Sequence, residues 1–198
     1  MSRTMDYKFF LRQTALIILS PVKVLESAKR GDHSIIKLRN NLLFPLLVLV
    51  AICSFLGSWL FANPTLHPAY WVLAGIKYFL LDLAVVYLSS FLFRAIGKAM
   101  DLPADFAFSF STVTYSLIPL FICQMLSLIF ESLAFINILS LYGLWIIWLA
   151  GEILLEAPAY KKKALLVASL VVIAELYIGC SLALASIIER IYFAFFAW

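Results

Sequence analysis

Five apolar runs, each long enough to cross a bilayer, decide what this chain can fold into. They cover residues 42–62, 71–93, 108–130, 133–155 and 164–188. A hydrocarbon core about 30 Å thick takes roughly 20 helical residues to cross. Lipid offers backbone N–H and C=O groups no partners, so a crossing segment is a helix or a strand of a closed barrel. Runs this long, with no polar residue at every second position, predict helices. Composition closes off the soluble alternative. The chain is 65% hydrophobic and only 13% charged, against about 25% charged in soluble domains. A soluble fold of 198 residues leaves too much surface in water to hide that much apolar area. The expected fold class is an all-α membrane protein, with five transmembrane helices preceded by a short amphipathic cytoplasmic helix.

The breaks between the runs are short. Residues 63–68 hold Pro64 and Pro68, which cannot continue a helix. Asp101, Leu102 and Pro103 interrupt the second connection, and Ala157 and Pro158 the fourth. The third break, near 131–137, is marked only by Glu131, Ser132 and Asn137. Lysine and arginine near the span ends set orientation. Eight precede the first run, Arg94 and Lys98 follow the second, and Lys161, Lys162 and Lys163 follow the fourth. Those thirteen fall on one side, and Arg190 lies on the other. The bias predicts a cytoplasmic N-terminus, an outer C-terminus and the inner (plasma) membrane as location. Losing one span would put the lysine triplet on the wrong side.

The segment before the first run predicts a surface helix. Tyr7, Phe10, Leu11, Thr14 and Ile18 share a stripe, with Lys8, Arg12 and Gln13 off it. Such a helix lies among headgroups and attracts anionic lipid, or packs on the cytoplasmic face of the bundle. Ser20 and Pro21 end it, and 25–40 reads as a polar connector. The apolar stretch at 15–19 is too short for a signal-peptide core, so retention of this segment is expected. We divide the chain into a basic tail (1–41), a membrane domain (42–190) and an aromatic outer-interface end (191–198). No internal repeat is evident. The net charge of +4 comes from membrane-flanking clusters, and no nucleic-acid partner is expected. Cys53, Cys123 and Cys180 fall in apolar runs and imply neither disulfide nor zinc site.

Polar residues inside the spans are the candidate functional groups. A charge at mid-span costs about 3 kcal/mol on insertion scales. Asp82 shares a helix side with Gly75, Tyr78 and Ser89; Glu175 shares one with Gly179, Ala183 and Ser186. Small residues permit close helix approach, so both carboxylates are expected to face into the bundle. Two readings stay open: a proton or cation site with Lys77 as counter-charge, or a structural polar contact. In the third run, Ser109, Thr112 and Ser116 form a hydroxyl face suited to interhelical hydrogen bonds. Pro119 frees the Tyr115 carbonyl and predicts a kink, and Gln124 follows at depth. Glu152 and Glu156 end the fourth run, where the helix dipole disfavours acids. A basic partner among Arg94, Lys98 and Lys161–Lys163 is expected. The histidines, His33 and His67, fall on opposite sides, and no HExxH, GxSxG or phosphate loop is present. No catalytic residue, metal or cofactor is expected.

Two short motifs point to a family. Residues 18–24, Ile-Leu-Ser-Pro-Val-Lys-Val, carry a proline followed by a basic residue ahead of the first span. Residues 114–119, Thr-Tyr-Ser-Leu-Ile-Pro, place Tyr115, Ser116 and Pro119 in the third. With five spans and a cytoplasmic N-terminus, the chain resembles the Yip1 family, in its compact bacterial form, over roughly 19–188. The resemblance implies a helical membrane protein without an established catalytic site. It makes Tyr115, Ser116 and Pro119 a structural motif. Relatives that contact small GTPases do so through long cytosolic tails, so that role does not carry over to a short one. The expected function is non-enzymatic: organising or partnering other membrane components, or self-associating. The rival is a small proton- or cation-coupled transporter or channel using the intramembrane carboxylates.

Overall fold

The computed structural model describes residues 7–31, 34–61 and 67–196. Arg3, His33, Ala62 of the first expected run, residues 63–66 of the break after it and 197–198 of the aromatic end lie outside the described residues, as does the side chain of Glu131. The described residues are helical with short turns and hold no strand. Their α-helices are, in chain order, α1 (Tyr7–Leu19), α2 (Pro21–Lys29), α3 (Ile35–Leu38), α4 (Phe44–Phe61), α5 (Ala69–Ala99), α6 (Phe106–Ile129), α7 (Tyr142–Ile153) and α8 (Ala159–Phe196). A π-helix, Arg39–Leu43, joins α3 to α4, and a 3₁₀ helix, Glu131–Leu141, leads into α7. Among the described residues, five stretches are long and apolar enough to cross a membrane: Ile35–Phe61, Ala69–Ala99, Phe106–Ile129, Ser132–Ile153 and Ala159–Phe196.

The boundaries move outward from the sequence expectation. The first membrane-length helix starts at Ile35, so the expected connector 25–40 is largely helical, with Leu25 and Leu38 fully buried. Pro21 ends α1 but opens α2, because the first helical position has no N–H to lose. The last helix runs through 190 to Phe196, so the aromatic end continues it. Lys161, Lys162 and Lys163 occupy its first turn rather than a loop.

The fourth crossing departs most from expectation. Phe130 leaves helical conformation (φ −122°, ψ 95°) and provides the break. Beyond it the chain is 3₁₀ for 11 residues, where runs longer than 3–4 are uncommon. A 3₁₀ helix stacks every third side chain. Asn137 and Ser140 fall in one column, and Gly143, at the start of α7, lies three residues further on. Asn137 Nδ2 donates to Ser127 Oγ of α6 at 3.3 Å, and a Cβ on Gly143 would overlap the Ser116 carbonyl. Phe135, Ile138 and Leu141 form the outward column and are exposed. The small and polar residues thus recur at three, which an α-helical reading of this run does not use.

Lipid tails are as apolar as leucine, so these helices pack by close contact rather than by escape from water. Gly57 of α4 shows this at a second place: a Cβ there would overlap the Leu128 carbonyl of α6. The centre is α6, whose buried residues include Phe110, Val113, Tyr115, Ile118 and Phe121. At the other extreme, α8 buries only Leu165 and Ser169. It lies against α5 and α7 and presents its remaining faces outward.

The helices α1 and α2 form a hairpin against α6 and α7. Tyr142 Oη donates to the Ile18 carbonyl at 3.1 Å, which serves an orphan acceptor at the end of α1. Lys29, closing α2, pairs with Glu156 at 2.6 Å. So α2 runs beside α7 in the same direction, from Tyr142 to Glu156. The expected apolar stripe of α1 divides. Phe10 is buried and Thr14 half-buried, facing the bundle with Gln13 and Ile17, while Tyr7, Leu11 and Ile18 are exposed. The hairpin takes one side of the stripe and leaves the other outside.

Candidate functional site

Asp82 sits in the middle of α5 and is fully buried. Helix α5 places it there because Gly75, Leu81, Val85 and Ser89 line the same inward side. Neither carboxylate oxygen has a hydrogen-bond partner among the described residues. Gln124 of α6 stands beside it, and Gln124 Nε2 donates to Tyr177 Oη of α8 at 3.4 Å. Tyr78 lies one turn away on α5. The junction therefore joins α5, α6 and α8 through Asp82, Gln124 and Tyr177. Tyr177 escapes a reading of the sequence, because a lone tyrosine in an apolar run carries no signal of its own.

Glu175 is not part of this junction. It lies on the exposed side of α8 with Gly179, Ala183 and Ser186, and a Cβ on Gly179 would meet nothing within 4 Å. The expectation that both carboxylates face inward holds for Asp82 and fails for Glu175. Helix α8 turns Leu165, Ser169 and Tyr177 toward its neighbours, and two residues away along a helix is the far side. Lys77 does not serve as counter-charge: it is half-buried, and its ammonium lies over the Tyr78 ring, 5.5 Å from the centroid. Without an Asp82–Glu175 pair the two-carboxylate transport reading loses its geometry.

The hydroxyl face of α6 is buried at Ser109, Thr112 and Ser116, but the hydroxyls do not bridge helices. Ser109 donates to the Asp105 carbonyl at 2.9 Å and Ser116 to the Val113 carbonyl at 2.9 Å, both within their own turn. Thr112, Thr114 and Tyr115 have hydroxyl groups without a hydrogen-bond partner among the described residues. Helix α6 is continuous through Pro119. At the basic end, Glu152 pairs with Lys162 at 3.0 Å, from the expected set. Glu156 instead takes Lys29, 127 residues away in sequence, a contact no local pattern encodes. That ammonium holds the Glu156 carboxyl below its usual range. Glu156 also adopts a left-handed backbone (φ 48°), which aims it out of the α7–α8 turn toward the hairpin. Lys161 Nζ donates to the Met100 carbonyl, tying α8 to the end of α5.

Among the described residues, no group of three His, Cys, Asp or Glu could hold a metal ion. A family model, the Yip1 domain, matches residues 16–183. The chain belongs to the Yip1 family. It is a multi-pass membrane protein, as its five long apolar helices require. No curated protein and no solved structure matches it. Within the Yip1 domain, Tyr115, Ser116 and Pro119 fall on the most enclosed helix. Tyr115 is fully buried, and the Ser116 backbone receives Gly143. Ser116 of the motif thus lies at the α6–α7 contact.

Proposed function

We propose that this Yip1 protein is non-enzymatic and organises or partners other membrane components, which include further membrane proteins or a second copy of itself. One observation carries the reading: Glu175 stands mid-span on the exposed side of α8, beside the open surface of Gly179. A carboxylate facing hydrocarbon costs about 3 kcal/mol, and a partner helix carrying a donor removes that cost. Small residues on the same face let such a helix come close. The positive-inside bias of the basic clusters supports a cytoplasmic N-terminus and an outer C-terminus, in the inner (plasma) membrane. Residues 1–41 then form the cytoplasmic surface, which draws anionic lipid, 42–190 the membrane domain and 191–198 the outer interface.

A photo-crosslinking side chain at Leu182, on the open side of α8, tests this in native membranes. The expected result is a protein adduct, to another membrane protein or a second copy, that falls at least severalfold in Glu175→Leu. Adducts to lipid alone would remove the reading.

A further inference from the structure

The hairpin of α1 and α2 encloses a cavity of about 630 Å³. Five cations line it: Lys8 and Arg12 from α1, Lys23 and Arg30 from α2 and its cap, and Lys37 from α3. Among the described residues no acidic side chain lines it: Glu26 of α2 is exposed and lies outside it, and Asp6 and Asp32 lie outside the described residues. Lys8, Arg12 and Lys23 form no ion pair with a described residue. Lys37 is held by its ammonium over the Phe9 ring, 4.9 Å from the centroid, a cation–π contact. Gathering like charges raises the potential in a concave space. A multiply charged anion offsets that cost, and phosphate oxygens suit guanidinium and ammonium donors.

A second cavity, of about 530 Å³, lies on the other side of α1. Its walls are apolar, with Phe10 and Leu11 facing Phe44 and Val48, and Asn40 and Asn41 line it too. Those two asparagines belong to the π-helix Arg39–Leu43, a geometry frequent at functional sites. Lys37 lines the first cavity and Asn40 the second, three residues further along the same helical stretch. The lining of the first suits phosphate, and that of its neighbour suits hydrocarbon. A soluble phosphate compound uses only the first; an amphiphile uses both.

We propose that the α1–α2 hairpin and the π-helix form a binding site for one anionic phospholipid, with its phosphate among Lys8, Arg12, Lys23 and Lys37 and an acyl chain between α1 and α4. This rests on the cytoplasmic, lipid-attracting tail of the proposed function and names its ligand and place.

The test uses the full chain in detergent, titrated with phosphatidic acid, phosphatidylglycerol or phosphatidylcholine of equal chain length, and separately with glycerol 3-phosphate. Bound adducts are counted by native mass spectrometry. The expected result is one anionic lipid bound about tenfold or more tighter than phosphatidylcholine, with glycerol 3-phosphate far weaker. Each basic residue contributes about 1 kcal/mol to such attraction. Arg12→Ala with Lys23→Ala should therefore lose about tenfold or more, and Lys23→Gln alone several-fold. Val48→Trp, which fills the apolar groove, should weaken binding as well. Lys98→Ala with Lys163→Ala, exposed cations outside the site, should leave it unchanged. Equal binding of phosphatidylcholine, unchanged affinity in both Lys23 variants, or an equal loss in the control pair would overturn the proposal. Glycerol 3-phosphate binding as tightly as lipid would overturn the lipid assignment. Crosslinking at Leu182 in the same variants separates the two readings, since it persists if only the lipid site fails.

Discussion

Two carboxylates near the middle of their spans meet opposite surroundings. Asp82 is enclosed by α5, α6 and α8, without a hydrogen-bond partner among the described residues. Glu175 is outside, with space in front of it. Sequence shows both as mid-span acids and places Asp82 inward correctly. It does not separate them, because small residues flank each one and small residues serve an inner contact and an outer one equally well. A carboxylate buried without a partner opposes folding more than a neutral amide of the same shape does. Asp82→Asn is therefore expected to unfold at the parent temperature or above it, read as loss of the monodisperse fluorescent peak on heating. A fall of more than about 4 °C, roughly 1 kcal/mol for a chain of this size, would mean that the carboxylate is held by something its neighbouring side chains do not supply. The Lys29–Glu156 pair shows a different gap in legibility: each residue is recognisable as charged and on the same side, but only the hairpin brings them together.

At the scale of elements, three prolines mark boundaries, while Pro45 and Pro119 lie within helical stretches. Pro21, Pro103 and Pro158 all sit at helix ends or turns. Hydropathy marks the cores of all five long helices. It cannot distinguish 3₁₀ from α geometry over Glu131–Leu141, because mean hydropathy sums apolar character along the run and is blind to whether the repeat is 3.0 or 3.6. It also passes over α2 and α3, whose lysines and the arginines that follow them read as a connector, although their apolar residues Val24, Leu25 and Leu38 are buried. The close contact of α7 with α6 sits at Gly143, just past the 3₁₀ segment, and here a prediction separates two glycines. Gly143→Leu forces α7 off α6 and should cost about 3 kcal/mol or more, at the upper end of overpacking losses. Gly179→Leu should leave the stability of the isolated chain within about 0.5 kcal/mol, as surface substitutions do. Thermal unfolding of both variants in the same micelle checks the pair, and equal losses would refute the packing assignment.

Across the whole molecule, five crossings fix where every loop emerges. With native cysteines Cys53, Cys123 and Cys180 replaced, single cysteines at Lys8 and Lys162 should react with an impermeant maleimide from the cytoplasmic side alone. One at Arg190 should react from the other. Labelling of Lys8 and Lys162 from opposite sides would contradict both the span count and the orientation. The longest element adds a further consequence. Helix α8 has 38 residues, about 57 Å at 1.5 Å per residue, far more than the roughly 30 Å of hydrocarbon it crosses. One end is fastened through Lys161 to Met100 and through Lys162 to Glu152. The other is fastened where Tyr192 Oη accepts the His67 N–H at 3.1 Å and Phe196 stacks on the His67 ring. With both ends pinned to the rest of the fold, its inclination is set by the protein. In a thinner or thicker bilayer this rod cannot lean to match, so the surrounding lipid has to compress or stretch along it.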